Sequence, residues 1–242
     1  MQRPDFVNDQ IYHIYNRGVE KRNVFLSDED RFRFVHDLFE FNDTKPALHI
    51  YTGHQLGEVG LPQVNLNKQK QTKNPKVRKP RKLLVEILVF CLMPNHYHLL
   101  LMQKRENGIT QFMRKLGTGY TNYFNQKYER VGSLFQGKFK AVLIKKESQL
   151  LWIVHYIHLN PIELYEKNWK ERKIKNIDIA LDNLYKYRWS SLFDYTGRRN
   201  FPSVTQREFL LDIFGGEKSY KKEISDCLTN FNIDNLNDLK IE

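Results

Sequence analysis

The sequence predicts an α+β fold: an antiparallel sheet with helices packed mainly on one face. Three observations predict it. Two apolar, β-rich runs, Leu84–Leu92 and His96–Met102, are joined by the short turn Met93-Pro94-Asn95. Ile109, Phe112, Leu116, Tyr120, Tyr123 and Phe124 recur at helical spacing just after them. Hydrophobic residues make up 40% of the 242 and aromatics 13%, enough to build a core.

Taken in order, Gln10–Tyr15 is short and rich in Ile and Tyr, and it ends at Asn16-Arg17-Gly18. That is a strand running into a turn. Ser27 followed by Asp30 resembles a capping box, and Phe32, Val35, Leu38 and Phe39 follow at helical spacing, which predicts a helix over 28–42. Residues 59–85 contain no Asp or Glu and hold Lys68, Lys70, Lys73, Lys76, Arg78, Lys79, Arg81 and Lys82. With no apolar period, the stretch at about 59–83 is expected to be an exposed, mobile insertion. The hairpin comes next, its near-continuous hydrophobicity predicting central strands covered by helices. A helix over 107–127, a strand over 138–145 and a helix over 147–159 complete the order β-α-β-β-α-β-α, which suggests a ferredoxin-like sheet. Helical patches at 205–214 and 217–229 suggest a small C-terminal extension, so the division expected is 1–198 and 199–242.

Charge narrows the partner. Lys plus Arg number 39 against 28 Asp plus Glu, a net +11 with a pI of about 9.5. A polyanion, most often nucleic acid, is the partner such an excess suggests. Much of it sits in the acid-free stretch, and the rest of the chain is nearly balanced. No apolar run approaches the roughly 20 residues that span a bilayer. Met1–Asp5 lacks the apolar core of a secretory signal. Cys91 and Cys227 stand in unrelated contexts, so neither a disulfide framework nor a Cys-based zinc site is expected. A cytoplasmic location is the expectation.

The chemistry-bearing residues form two groups. Strand side chains two apart share a face, so His96 and His98 can converge on one ion; two histidines that merely sit in a sheet are the plainer alternative. Tyr156 and Asn160 stand four apart on the helix over 147–159, about 40° from each other and to one side of its Leu150/Val154/Ile157 stripe. That face is expected not to be fully committed to the core. Pro161 disfavours α geometry at Asn160. Two imidazoles and an amide oxygen are neutral donors; with them a hard ion, Mg²⁺ or Mn²⁺, keeps most of its charge and open positions for phosphate oxygen. A tyrosine beside it can attack phosphorus and form a covalent phosphotyrosine. The plain alternative is a tyrosine packed at a helix edge and an ordinary pre-proline asparagine.

These residues resemble a known family. His96-Tyr97-His98 after Met93-Pro94-Asn95 resembles the HUH motif of single-tyrosine transposases. Tyr156-Ile157-His158-Leu159-Asn160-Pro161 resembles the catalytic-tyrosine motif of REP-associated tyrosine transposases, relatives of the IS200-like enzymes. Tyr12–Gly18, Gly132–Ala141 and Trp189-Ser190-Ser191 resemble three further segments of that family, in the same order. The resemblance covers about residues 8–198. It implies an HUH endonuclease core and a bacterial transposase that cleaves and rejoins single-stranded DNA at hairpins, holding the 5′ end on tyrosine. By motif, Tyr156 is the nucleophile and His96, His98 and Asn160 bind the metal. Two departures stand out: the family more often has Arg where Lys138 stands, and the insertion is long.

For the DNA itself, Arg130, Lys138, Lys140, Lys145 and Lys146 flank the strand over 138–145 with Phe135 and Phe139 among them, a pattern suited to single strands; an amphipathic strand with a charged outer face is the alternative. Tyr120 and Tyr123 lie on the apolar stripe of their helix and have no polar ligand four residues on, so core packing is expected of them. The histidines at 13, 36, 49, 54, 155 and 158 are assigned no role. The protein is expected to act as a monomer or a homodimer. The rivals are an inactive hairpin-binding protein of the same fold and a metal-dependent phosphodiesterase that uses water.

Overall fold

A computed structural model of the chain describes residues 3–46, 80–171 and 174–230. The basic insertion expected at about 59–83 lies almost wholly outside the described residues, as do the last twelve residues of the C-terminal extension. Four strands form one sheet: β1 (Ile11–Arg17), β2 (Val85–Met93), β3 (His96–Gln103) and β4 (Lys140–Leu143). Their order is β2-β3-β1-β4, and every pair is antiparallel. The helices are α1 (Asp28–Glu40), α2 (Gly108–Lys127), α3 (Glu147–Leu159), α4 (Ile177–Leu184), α5 (Leu192–Tyr195), α6 (Glu208–Ile213) and α7 (Glu217–Asn230). The β-α-β-β-α-β order and the ferredoxin-like strand order are those expected.

Local chemistry explains the first crossover. Ser27 caps α1 as a true capping box with Asp30. Asp30 is fully buried, and its carboxylate also accepts from Leu26 N–H (2.8 Å), Tyr123 Oη (3.1 Å), Tyr128 Oη (2.8 Å) and Lys127 Nζ (2.8 Å). The start of α1 is therefore tied to the end of α2. Between them Phe34 packs on Tyr97 of β3 (5.1 Å between rings) and on Tyr120 (4.9 Å). Tyr120 is wholly buried and donates to Val24 O, as expected of a core residue. At the far end of α1, Asn42 accepts from Leu84 and Val85 N–H and donates to Val85 O. That clasp fixes where β2 begins.

Side-chain alternation then divides the sheet. Tyr97 on β3 meets α1 on one face. His98 on β3 and His13 on β1 meet Tyr156 of α3 on the other. α3 is buried nearly all round: Ile153, Tyr156, Ile157, Leu159 and Asn160 are at most 2% exposed. The face expected to stay partly uncommitted is therefore enclosed, because further chain packs behind it. Asn160 keeps α geometry (φ −51°, ψ −37°) in spite of Pro161, and the chain continues into a 3₁₀ turn, Asn160–Leu164. Burial of Asn160, Pro161 and Ile162 outweighs the pre-proline bias.

β2 is an edge strand rather than a central one, but its outer edge is covered. Leu92 N–H donates to Trp189 O, Ser191 N–H to Phe90 O, and Phe90 N–H to Ser191 Oγ. A bulge between Ile87 and Val89 leaves Leu88 O open to Tyr195 Oη (2.8 Å), and Gln206 pairs with Ile87. Trp189-Ser190-Ser191 thus closes a sheet edge, which is a structural role.

One buried chain of hydrogen bonds locks α3 to that edge. Tyr220 Oη on α7 lies 2.6 Å from His158 Nδ1, and His158 Nε2 lies 2.8 Å from Ser191 Oγ. Ser191 Oγ also reaches Phe90 O at 3.3 Å, so the run continues onto β2. Burial, and secondarily His155, holds the His158 pKa well below its ordinary value; burial brings His155 down to about 4. His155 faces Glu223 at 3.4 Å and the Tyr220 ring. In the unfolded chain both histidines bind protons as pH falls through about 6.5, whereas in the folded protein they do so only much lower. Stability is therefore expected to fall from pH 7 to pH 5, by up to about 1.4 kcal/mol per pH unit for each histidine. Urea midpoints across that range check it, and a flat profile would refute it.

Candidate functional site

The turn between β2 and β3 sets the first histidine. Gly18 N–H donates to Asn95 O, and Val24 and Phe25 N–H donate to Pro94 O. A Cβ at Gly18 would meet the Arg22 carbonyl oxygen at 2.2 Å, so only glycine lets that segment fold against the turn. Asn95 Nδ2 donates to Lys21 O, which aims Asn95 Oδ1 at His96 Nδ1, 2.6 Å away. An amide oxygen only accepts, so His96 is protonated on Nδ1 and its Nε2 carries the lone pair.

His98 is wholly buried, its ring 5.0 Å from that of His96 and perpendicular to it. Its Nδ1 lies 2.9 Å from His13 Nε2, and its Nε2 lies 3.5 Å from the Asn160 side-chain amide nitrogen. Burial is the main reason its pKa lies well below the ordinary value, with His96, His13 and Lys170 adding to it; burial alone brings His13 to about 3. Both rings are neutral near pH 7. Asn160 Oδ1 is buried and has no hydrogen-bond partner among the described residues. The Tyr156 ring stands perpendicular to that of His98 (5.6 Å), stacks on Trp152 (5.0 Å) and faces Trp169 (6.3 Å), and is 2% exposed. Lys170 Nζ lies 5.4 Å from the Tyr156 ring and 3.0 Å from Glu163.

The fold thus brings His96, His98, Tyr156 and Asn160 into one neighbourhood across β3 and α3. A cavity of about 370 Å³ opens on the histidine side and is lined by Tyr15, Arg17, Lys21, His96, His98 and Lys140 among others. Tyr156 and Asn160 do not line it. The neutral donors suit a hard cation, and the buried Asn160 oxygen is the kind of orphan that such an ion would satisfy. Among the described residues no group of three or more His, Cys, Asp or Glu side chains could hold a metal, so any ion here relies on the amide.

The five basic residues do not make one patch. Lys140 sits in register with Tyr15, which pairs with His98, and it lines the cavity. Lys138 faces a separate groove beside α2. Lys145 and Lys146 are exposed past the other end of β4, about 17 Å along at strand rise from Lys140. Arg130 folds onto α2, donating to Asn125 Oδ1. Phe135 is in the core against Tyr97, whereas Phe139, half-covered by Arg3 and Phe6, lines the same groove as Lys138. Charge spacing along a strand could not show which lysines the turn at 132–139 would carry away. Residue type and spacing did not single out His13, Arg17, Lys21, Glu163, Trp169 or Lys170. His13 had one signal, its place on the β1 face that carries Tyr15; that β1 lies beside β3 was not written in the spacing.

Fold and site together define a four-stranded antiparallel α+β domain with a histidine pair on one sheet face and a tyrosine-bearing helix laid over it. Residues 67–160 match the family model described as "Transposase IS200 like", and all four site residues fall inside that segment. The family resemblance read from the motifs is borne out over this stretch; the Tyr12–Gly18 and Trp189–Ser191 motifs lie outside it. No curated protein matches. A solved structure titled "Structure of the REP associates tyrosine transposase bound to a REP hairpin" is similar at 12% identity and a TM-score of 0.49, covering 84% of this chain and 89% of that one. Among the described residues no helix is long and apolar enough to cross a membrane.

Proposed function

We propose that the protein is a metal-dependent single-stranded DNA endonuclease and strand-transferase, a transposase acting on hairpin or palindromic DNA through a 5′-phosphotyrosine. One observation carries this reading: the Tyr156 ring stands perpendicular to His98 at 5.6 Å, on the same helix that brings the Asn160 amide to 3.5 Å from His98 Nε2. His96 and His98, through Nε2, and Asn160, through Oδ1, would hold Mg²⁺ or Mn²⁺. A bound ion supplies Lewis-acid polarisation of the scissile phosphate. Arg17, Lys21 and Lys140 offer positive charge to the strand in the cavity. Tyr156 Oη attacks phosphorus, the P–O3′ bond breaks, and the phenolic proton leaves to the 3′ oxygen. The freed 5′ end stays on tyrosine until a 3′-OH attacks it and restores the phenol. The hairpin preference rests on the motif resemblance.

The test is a labelled hairpin end with a single-stranded flank, incubated with Mg²⁺ or Mn²⁺ and resolved on denaturing gels for a covalent adduct. Lys140→Ala is expected to weaken single-strand binding severalfold and reduce the salt slope by about 0.7, as loss of one phosphate contact does. An unchanged slope would remove Lys140 from the DNA path.

A second reading is favoured by the enclosure of Tyr156 between Trp152 and Trp169. On that reading the protein binds hairpin nucleic acid without cutting it. Binding with no adduct and no cleavage, under either metal, would establish it.

A further inference from the structure

We infer that the groove beside α2, on the sheet face away from Tyr156, is a second nucleic-acid site. It takes a short single-stranded segment and passes it round the end of β1 into the histidine cavity. The link to that cavity rests on the reading of the cavity as the place of cleavage; the groove's own affinity for a strand does not.

The groove has a volume of about 680 Å³ and lies between α2 and the segment at 132–139, with Tyr97 in its floor. Its wall on α2 runs from Thr110 to Asn122, about 18 Å at helical rise. That length accommodates up to about five nucleotides at the spacing of a stacked strand. Gly117, Gly132 and Gly137 keep it open, since a Cβ built on any of them would meet nothing within 4 Å.

Charge and ring surface decide the class of occupant. Among the described residues, Arg3, Arg114 and Lys138 line the groove and no Asp or Glu does. Lys127, further along α2, is instead bound to Asp30 and Glu29. Three cations with no acid beside them suit the phosphates of a strand. Arg3 lies over the Phe139 ring at 4.5 Å, so a guanidinium plane and an aromatic ring stand together at one wall. Both kinds of surface stack on unpaired bases. Thr118, Thr121 and Asn122 add hydroxyl and amide groups that hydrogen-bond to phosphates or base edges. An acidic peptide would meet the cations but leave the ring surface unused.

The route between the two faces is built at Asn16. It stands opposite Tyr97 in the β1–β3 ladder, and it lines both the groove and the histidine cavity. Its side chain is pinned at both ends: Nδ2 donates to Gly137 O (3.2 Å), and Oδ1 accepts from Arg17 N–H (2.9 Å). Gln136 N–H donates to Arg17 O (2.8 Å). The segment then divides, with Gln136 lining the cavity and Gly137 and Lys138 lining the groove. Arg17 and Lys140 carry the positive charge on into the cavity.

The experiment measures binding of oligothymidines of about 4 and about 12 nucleotides to the full-length protein by fluorescence anisotropy, over a range of salt. The short probe fits either site alone; the long one spans both. Wild type is expected to bind the long probe at least about 10-fold more tightly. Arg114→Ala combined with Lys138→Ala should remove most of that gain and reduce the salt slope for the long probe by about 1.4, the loss of two phosphate contacts on a single strand. Both side chains are exposed, so the fold is expected to survive, and melting temperature checks it. Gly117→Leu fills the groove without changing its charge and suits a helix better than glycine; it should also lower affinity for the long probe. Unchanged long-probe affinity and slope in the double variant overturn the proposal. So does a polyglutamate of matching charge that displaces the long probe at lower concentration than unlabelled oligothymidine. Failure of the cleavage reading alone looks different: hairpin DNA gives no adduct at Tyr156, while the groove variants still lose the long-probe gain.

Discussion

Tyr156→Phe is expected to eliminate the covalent DNA adduct and to cut strand cleavage by at least about 10⁴-fold, the scale of losing a nucleophile. The fold should survive, because phenylalanine keeps the ring that packs between Trp152 and Trp169. Melting temperatures within a few degrees of each other would confirm that the two proteins differ in chemistry alone. Cleavage that persists without an adduct would show that water is the attacking group and that the site is a phosphodiesterase. An adduct that persists would place the nucleophile elsewhere. Tyr120 is poorly placed for it: its hydroxyl donates to Val24 O, on the opposite side of the sheet from His98. Tyr123 is engaged with Asp30.

Asp30→Ala should cost about 3–5 kcal/mol, the usual penalty for removing one partner of a buried charge pair. For a domain of this size that is a fall of roughly 6–20 °C in melting temperature. The carboxylate gathers the cap of α1 and the end of α2 at once, and Lys127 would be left facing a void. Burial alone would raise its pKa, but Lys127, Tyr128 and the Leu26 and Ser27 amides outweigh that and hold it below its ordinary value. Its contribution is thus present at neutral pH and is lost as pH falls through the lowered pKa, below about 4. Glu29→Ala is the control. Glu29 contacts the same lysine, but its side chain is 65% exposed, so its loss should cost no more than about 1 kcal/mol. Equal effects from the two changes would refute this role for Asp30.

Much of this architecture was legible because the periods are clean. The capping box at Ser27, the hairpin around Pro94 and the bounds of α3 follow from local chemistry that tertiary packing does not override. α4 was legible too, since Asn176 caps it and Ile177, Ala180, Leu181 and Leu184 are at helical spacing, yet its charged neighbours hid it. The site was half legible. His96, His98, Tyr156 and Asn160 could be picked by residue type and offset, since period two and period four place them on common faces. Their enclosure could not be read, because it depends on Trp169 and the segment after Pro161 folding back, and no local signal marks that return. His13 was silent for a related reason: a histidine in a strand gains meaning only once its neighbouring strand is known.

The hydrogen-bonded run from Tyr220 through His158 and Ser191 to Phe90 bears on how far the chain can be shortened. A version ending at residue 198 would retain all four candidate residues and every strand of the sheet. It would lose Tyr220, leaving His158 Nδ1 without its hydrogen-bond partner, on the same helix as Tyr156. α7 is then a brace for the helix that carries Tyr156, and a minimal version of this protein has to be cut with α7 included.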